Sequence, residues 1–352
     1  MQESATLELT EQLIKIPSIS GDERAVCERM ESELRRRGWD PIRIPVSPDR
    51  WSIFAALGDP KIVYSTHLDV VPAESALFIP RYDGTRLTGR GACDAKGVAA
   101  AMLAAAENLK ADGKSNFGLL FVVGEEVDGI GAKRAREFLS QAGIRWIVNG
   151  EPTEGKIMRG HKGHLGVEIA CSGQACHSGY PHLGIDANKK LITIASRLLG
   201  ASWGSDPDLG SGTINVGVIE GGKAWNVVSP HAALRCIVRT VEPRNLSSEE
   251  RLQQLVGEEG TIKILANADP VRLETFPEFE SDVAAFGTDI PSFGSLAEHY
   301  VLYGPGSIHV AHTDRESITV EDLVGATKGY QQLYELITGR IAATSDSLKL
   351  CN

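Results

Sequence analysis

The sequence predicts an α/β fold in which a mainly parallel sheet is sandwiched by helices and interrupted by an inserted α+β domain. Three observations carry this. Strand-type and helix-type segments alternate with short loops from Lys61 to Asn149. After about Arg159 the texture changes to longer, alternating segments of antiparallel type. And 352 residues exceed what one compact core usually organises, so two structural units are expected.

The elements follow in order. Ala5–Lys15 carries helical periodicity, which Ile16-Pro17 breaks. Ser20 with Glu23 forms a capping-box pattern that opens a helix to about Arg37, where Gly38 stops it. Lys61–Thr66 and Phe117–Val123 are apolar runs of buried-strand type. Between them Ala95–Lys110 is rich in Ala, Leu and Met and ends before Gly113. A helix at about Ala132–Ala142 precedes Gly143 and the strand Trp146–Asn149. Such strand–helix–strand repeats give parallel pairing with helices on the faces. Beyond Arg159, Leu165–Cys171, Thr213–Ile219, Ala232–Thr240 and Thr261–Leu265 read as antiparallel strands. Helices at about Ala187–Leu199 and Ser247–Val256 interrupt them. From Pro270 the chain returns to loops, a short strand Tyr300–Tyr303 and a closing helix near Val320–Ile341. Residues 1–161 and 271–352 are therefore assigned to one domain and 162–270 to the insert.

Composition narrows the function classes. Hydrophobic residues at 42% and charged residues at 23% describe a globular chain, not a disordered or fibrous one. The longest stretch free of Asp, Glu, Lys and Arg, Ile169–Ile185, is full of Gly, Ser, His and Pro, so no membrane span is expected. Met1–Thr10 lacks the basic-then-apolar layout of a secretion signal. A net charge of −10 disfavours nucleic acid as a partner. Cys27, Cys93, Cys171, Cys176, Cys236 and Cys351 are scattered without a C-x-x-C pair, which reads as reduced thiols of a cytoplasmic protein.

Residues with chemistry gather at predicted strand ends, where open α/β sheets place ligands. Strand Lys61–Thr66 ends in His67-Leu68-Asp69, which alone reads as a hydrogen-bonded strand-end histidine. Gly89-Arg90-Gly91-Ala92-Cys93-Asp94 puts a carboxylate at the start of an apolar helix, and alone Asp94 would be a helix cap. Asp94 also stands where a dinucleotide fingerprint needs its third glycine, so that reading fails. No P-loop and no G-x-S-x-G elbow occurs. Strand Phe117–Val123 ends in Gly124-Glu125-Glu126; in extended backbone the two carboxylates would face opposite ways, one toward a metal and one toward a water. Strand Trp146–Asn149 ends in Gly150-Glu151-Pro152-Thr153, and a late loop supplies His312. Two histidines with three carboxylates suit a pair of divalent cations, zinc first, sharing one bridging carboxylate.

Five segments also carry a family resemblance: Ser65-Thr66-His67-Leu68-Asp69-Val70-Val71-Pro72, Gly89–Gly97, Gly124-Glu125-Glu126, Gly150-Glu151-Pro152-Thr153 and Ala311-His312-Thr313. In this order they resemble the motifs of the co-catalytic dizinc deacylase and carboxypeptidase family containing acetylornithine deacetylase and succinyl-diaminopimelate desuccinylase. The resemblance implies a zinc-peptidase-like catalytic domain with an inserted dimerisation (lid) domain, acting as a homodimer. It implies that Asp94 bridges two divalent cations, zinc or else cobalt or manganese. His67 and Glu151 would complete one ion, Glu126 and His312 the other. Asp69 would orient His67, and Glu125 would be the general base.

In the insert, His177 within Gly173–His182 matches the histidine that stabilises the oxyanion of a neighbouring site. Asn226, Arg239 and Gly306 match positions that contact substrate, Arg239 suiting a carboxylate fork. One departure is Gly184-Ile185-Asp186-Ala187, where the family commonly has Asn in place of Asp186. The implied activity is removal of an N-acyl group from an amino acid. N-acetylornithine is the first choice, because Gly150–Thr153, His161-Lys162-Gly163-His164 and Gly304-Pro305-Gly306 resemble that deacetylase. Succinyl-diaminopimelate, suggested by Tyr180-Pro181-His182-Leu183, acetyl-lysine and acetyl-citrulline are alternatives. A metal-binding protein that kept the scaffold without turnover is the alternative of another class.

Overall fold

The computed structural model describes residues 2–242 and 246–349. The chain divides into two units, residues 1–158, 273–282 and 288–352, and residues 159–272 and 283–287. Among the described residues no helix is long and apolar enough to cross a membrane.

The first unit is built on a six-stranded sheet in the order Ile42–Ser47, Arg50–Leu57, Phe117–Val122, Ile62–His67, Trp146–Asn149 and His299–Leu302. The last four strands pair in parallel, and the first two form an antiparallel hairpin against Phe117–Val122. Alternation along the central strands sorts side chains to two cores. Ile62, Tyr64, Leu119 and Phe121 face the layer of helices Gln2–Ile14, Lys96–Ala111 and Val320–Lys349. Val63, Leu120, Val122 and Ile147 face Ala132 and Ala135 of the helix Ile130–Phe138 and Phe293. The sheet is thus α/β and sandwiched, as the buried strand runs indicate. The hairpin Ile42–Leu57 went unpredicted, because its first strand alternates exposed and buried residues without the long apolar run of a central strand.

Two local readings need correction. The second helix runs Arg24–Arg36, and neither partner of the Ser20/Glu23 pattern makes a capping box. Glu23 is fully buried and bonds the Arg50 guanidinium instead, 2.6 and 2.7 Å away, while Ser20 donates to the Asp69 carboxylate at 2.7 Å. Nor do Glu125 and Glu126 extend a strand. Gly124, at φ +78°, turns the chain, and both glutamates sit in a turn.

The second unit holds an antiparallel sheet in the order Thr213–Gly221, His231–Thr240, Gly163–Ser172 and Thr261–Ala268. Helices Ala187–Gly200 and Leu246–Val256 pack their apolar faces on it through Leu191, Ile194, Leu198, Leu252 and Val256. Asp186 caps the first helix, accepting from the Asn188 and Lys189 amides. Asp and Asn cap about equally well, so the departure at this position leaves the local fold intact.

Candidate metal centre

Four parallel strands end on one edge of the first unit's sheet, and each end delivers a chemical group. His67 is the last residue of its strand, Glu125 and Glu126 follow the next, Glu151 follows Trp146–Asn149, and Tyr303–Gly306 follows His299–Leu302. The loop Gly89–Asp94 approaches the same groups ahead of the helix Lys96–Ala111. Asp94 does not cap this helix; its peptide to Ala95 is cis, and Ala95 stands at the cap position.

The Asp94 carboxylate, 5% exposed, is shared by two imidazoles. Its Oδ1 lies 3.0 Å from His67 Nε2 and its Oδ2 lies 3.2 Å from His312 Nε2. His312, at φ +63°, also sets Nε2 3.0 Å from the Glu126 carboxylate. Single donor atoms of His67, Asp94 and Glu126 all lie within 4.8 Å of one another.

The protonation logic of these contacts tests whether a metal fits. His67 Nδ1 lies 2.9 Å from the Asp69 carbonyl, which only accepts, so Nδ1 carries the proton. Nε2 then turns a lone pair toward Asp94 Oδ1, and two acceptors at 3.0 Å need a proton or a cation between them. Without a cation a proton takes that place. Burial opposes the charged His67 ring, but the Asp94 hydrogen bond and the charges of Glu151 and Glu125 hold its pKa well above the usual range. The hydrogen bonds to Asp94 and Glu126 raise His312 to about 10. Asp94 is held well below the usual carboxylate range: burial would raise it, and the hydrogen bonds from His312 and His67 outweigh that.

Glu151 is 3% exposed and its Oε1 has no partner among the described residues. Burial, then the charge of Glu125, pushes its carboxyl well up. Glu125 is raised in the same way by burial and by the charges of Asp289, Glu126 and Asp94. The carboxylates of Asp94, Glu126 and Glu151, the last with an orphaned buried oxygen, and two imidazoles form a donor set that divalent cations would neutralise. The residues present fit a metal centre.

The Asp69 carboxylate does not reach His67 as its main partner. The backbone carbonyl of Asp69 holds the ring, and Asp69 Oδ1 stands 3.7 Å from Nδ1. The carboxylate accepts the amides of Glu125 and Glu126, both at 3.2 Å, together with the Ser20 hydroxyl. Asp69 therefore fixes His67 through its backbone and the Glu125–Glu126 turn through its side chain. Gly306, at φ +74°, lies against Cys93, whose Cβ a side chain there would meet at 2.6 Å; this packing accounts for the glycine.

The other expected site residues belong to the second unit. His177 is exposed, and its Nδ1 accepts the Gly179 amide at 3.1 Å. Asn226 is exposed and its carbonyl accepts the Ser178 amide. Arg239 is half-buried, directly opposite His164 in the sheet register, and burial lowers its pKa.

Two further buried groups stand out: Asp289, which the sequence does not single out, and His161, which it names only within the His161-Lys162-Gly163-His164 motif. Asp289 is 2% exposed, has no partner for either carboxylate oxygen among the described residues, and is pushed by burial to about 7. His161 is 1% exposed; its Nδ1 faces the Lys162 carbonyl at 3.1 Å, its Nε2 has no partner among the described residues, and burial lowers it to about 4. Asp289 has no spacing signal, and the motif around His161 does not reveal that its ring is buried. An isolated Asp before a proline-containing turn looks ordinary until its burial is known.

With this geometry in hand, comparison with known proteins places the chain. The model of peptidase family M20/M25/M40 matches residues 63–336. A probable carboxypeptidase of Aspergillus terreus is 36% identical over 377 residues, covering 95% of this chain and 87% of that protein. Among solved structures, an M20 family metallo-carboxypeptidase of Sulfolobus solfataricus superposes with a TM-score of 0.76 at 18% identity, covering 93% of this chain and 97% of that one. A dinuclear metal-binding M20 peptidase of Bacillus subtilis superposes with a TM-score of 0.69 at 15% identity, covering 96% and 98%. The chain belongs to peptidase family M20/M25/M40 and is a hydrolase of that family.

Proposed function

We propose that this protein is a dizinc amidohydrolase that releases an amino acid with a free carboxylate from the acyl group joined to its nitrogen. The single observation that carries the reading is the Asp94 carboxylate, whose two oxygens each face one histidine Nε2. His67 and Glu151 would hold one ion, Glu126 and His312 the other, with Asp94 shared. Bound, the pair would acidify a water and polarise the scissile carbonyl. Glu125, held in its turn by Asp69, takes the proton from the attacking water and delivers it to the leaving amine. Because His177 Nδ1 accepts an amide, the neutral ring carries its proton on Nε2, ready to donate to an oxyanion. Arg239 suits the substrate carboxylate.

An N-acyl amino acid and a short peptide cut at its last residue present the same bond beside the same carboxylate. The likeness to acetylornithine deacetylase motifs makes N-acetylornithine the first acyl substrate, with succinyl-diaminopimelate, acetyl-lysine and acetyl-citrulline behind it. The relative named a probable carboxypeptidase adds dipeptides to the panel. The test is one screen of zinc-loaded protein against N-acetyl amino acids, N-succinyl amino acids and dipeptides. Turnover in any class supports the reading and names its branch. Bound zinc without turnover on any of them favours a non-catalytic metal-binding protein.

We also propose a homodimer paired through the second unit. Refolding H177A together with E125A, each nearly inactive alone, should then restore about a quarter of wild-type activity through mixed dimers. No recovery in demonstrated mixed dimers would remove His177 from a shared site.

A further inference from the structure

The loop that presents Asp94 gets little support from the helix after it, whose cap residue, Ala95, makes no side-chain cap. Its amides converge instead on one distant side chain. Glu316 is fully buried, and its Oε1 accepts from the amides of Gly91 at 2.8 Å, Asp94 at 3.2 Å and Cys93 at 3.4 Å. Its Oε2 accepts from the buried Arg90 guanidinium, and its backbone carbonyl accepts the Gly89 amide at 3.0 Å. Successive amides aimed at one point form a concave anion-binding nest. Gly91, at φ +85°, makes that turn possible, since a side chain there would meet Lys96 at 2.7 Å. The anion in the nest comes from the protein itself, four residues beyond His312. Glu316 thus joins the loop carrying Asp94 to the loop carrying His312, the two groups that meet at 3.2 Å.

We propose that Glu316 is a positioning residue of the metal centre, which fixes Asp94 so that each of its oxygens faces a different imidazole. This rests on the reading of Asp94 and His312 as metal ligands. A carboxylate is required because every partner is a donor: three amides, a guanidinium and the Cys93 thiol surround it. A glutamine of the same shape would turn an NH2 group toward one of those donors. Arg90 sits on Oε2 and compensates the buried charge, so that Glu316 is held without competing for the cations that Asp94 would bind.

The test uses the purified full-length wild type, E316Q and R90Q. Each is titrated with a chromogenic chelator to read zinc affinity, alongside circular dichroism, melting temperature and steady-state kinetics on the best substrate of the screen. E316Q is expected to keep the wild-type fold, lose about 10- to 100-fold in zinc affinity, and lose kcat with KM little changed. R90Q leaves the amides on Oε1 but frees Oε2, and should show a smaller loss, about three- to tenfold. A merely structural role would lower the melting temperature and leave the chelator curve and kcat untouched below it; that result overturns the proposal. If E316Q does not fold, R90Q decides by the same criterion. Wild-type protein that holds no zinc against the chelator would instead remove the underlying ligand assignment, an outcome read without either variant.

Discussion

Glu125 and Glu126 are neighbours in one turn, and both their amides are held by the same carboxylate of Asp69. Their side chains nevertheless have different company. Glu126 lies 3.0 Å from His312 Nε2, inside the cluster of metal-donor atoms, while Glu125 makes no such contact among the described residues and feels several negative charges. E125Q should therefore keep the wild-type zinc content and lose about 10²- to 10⁴-fold in kcat. E126Q should weaken zinc binding itself, read by the same chelator titration. The reverse pattern would exchange their roles. His67, Asp94, Glu125, Glu126, Glu151 and His312 were all legible in the sequence, because each stands at a strand end or loop with a short motif around it. Asp289 and Glu316 were not, and Ser20 and His161 stood only within a capping-box pattern and a short motif that did not give their contacts. Their importance comes from burial and from contacts between segments distant in the chain, such as the Ser20 hydroxyl on Asp69 and the Glu316 carboxylate on Gly91, and no local spacing encodes these.

Whole elements show the same division. Central strands and apolar helices were readable because two-sided burial leaves a run of hydrophobic residues, as in Phe117–Val122 and Lys96–Ala111. The helix Arg24–Arg36 was readable as a helix, but its charges had an unseen purpose. Glu33 is 3% exposed and accepts hydrogen bonds from Arg36, Arg37 and Arg29. Burial would raise its carboxyl, yet those bonds and the arginine charges take it down to about 2. The folded-state pKa therefore lies below that of the unfolded chain, so fewer protons bind in the native state and the stabilisation is present above the unfolded value. It is lost as pH falls from about 5 toward 2. E33Q should cost about 2 kcal/mol at pH 7 and almost nothing near pH 2. Urea titrations of both proteins at several pH values check this. A cost independent of pH would mean that Glu33 contributes through packing of its stem and not through its charge.

At the scale of the molecule, the apolar cores and the metal-donor cluster occupy different places. The first unit buries its hydrophobic residues on the two faces of its sheet, and the second unit has a core of its own around Leu165, Ile169, Leu198 and Leu234. The donor cluster sits at the strand ends, where polar groups are already tied by backbone contacts: His67 to the Asp69 carbonyl, the Glu125–Glu126 turn to Asp69, and the Asp94 loop to Glu316. Removing divalent cations therefore takes away none of the apolar burial that drives folding. It does leave crowded carboxylates facing one another, with protons on the imidazoles in place of the cations. Dialysis against a strong chelator should abolish hydrolysis while the circular dichroism spectrum at 25 °C stays that of the loaded protein. The melting temperature should fall by several degrees, because a ligand bound only to the native state stabilises it in proportion to the logarithm of its concentration over Kd. Adding zinc back should restore both activity and melting temperature. Loss of helical signal on chelation at 25 °C would show instead that the cations hold the first unit together, and that its sheet and helices do not suffice to keep the strand ends in place.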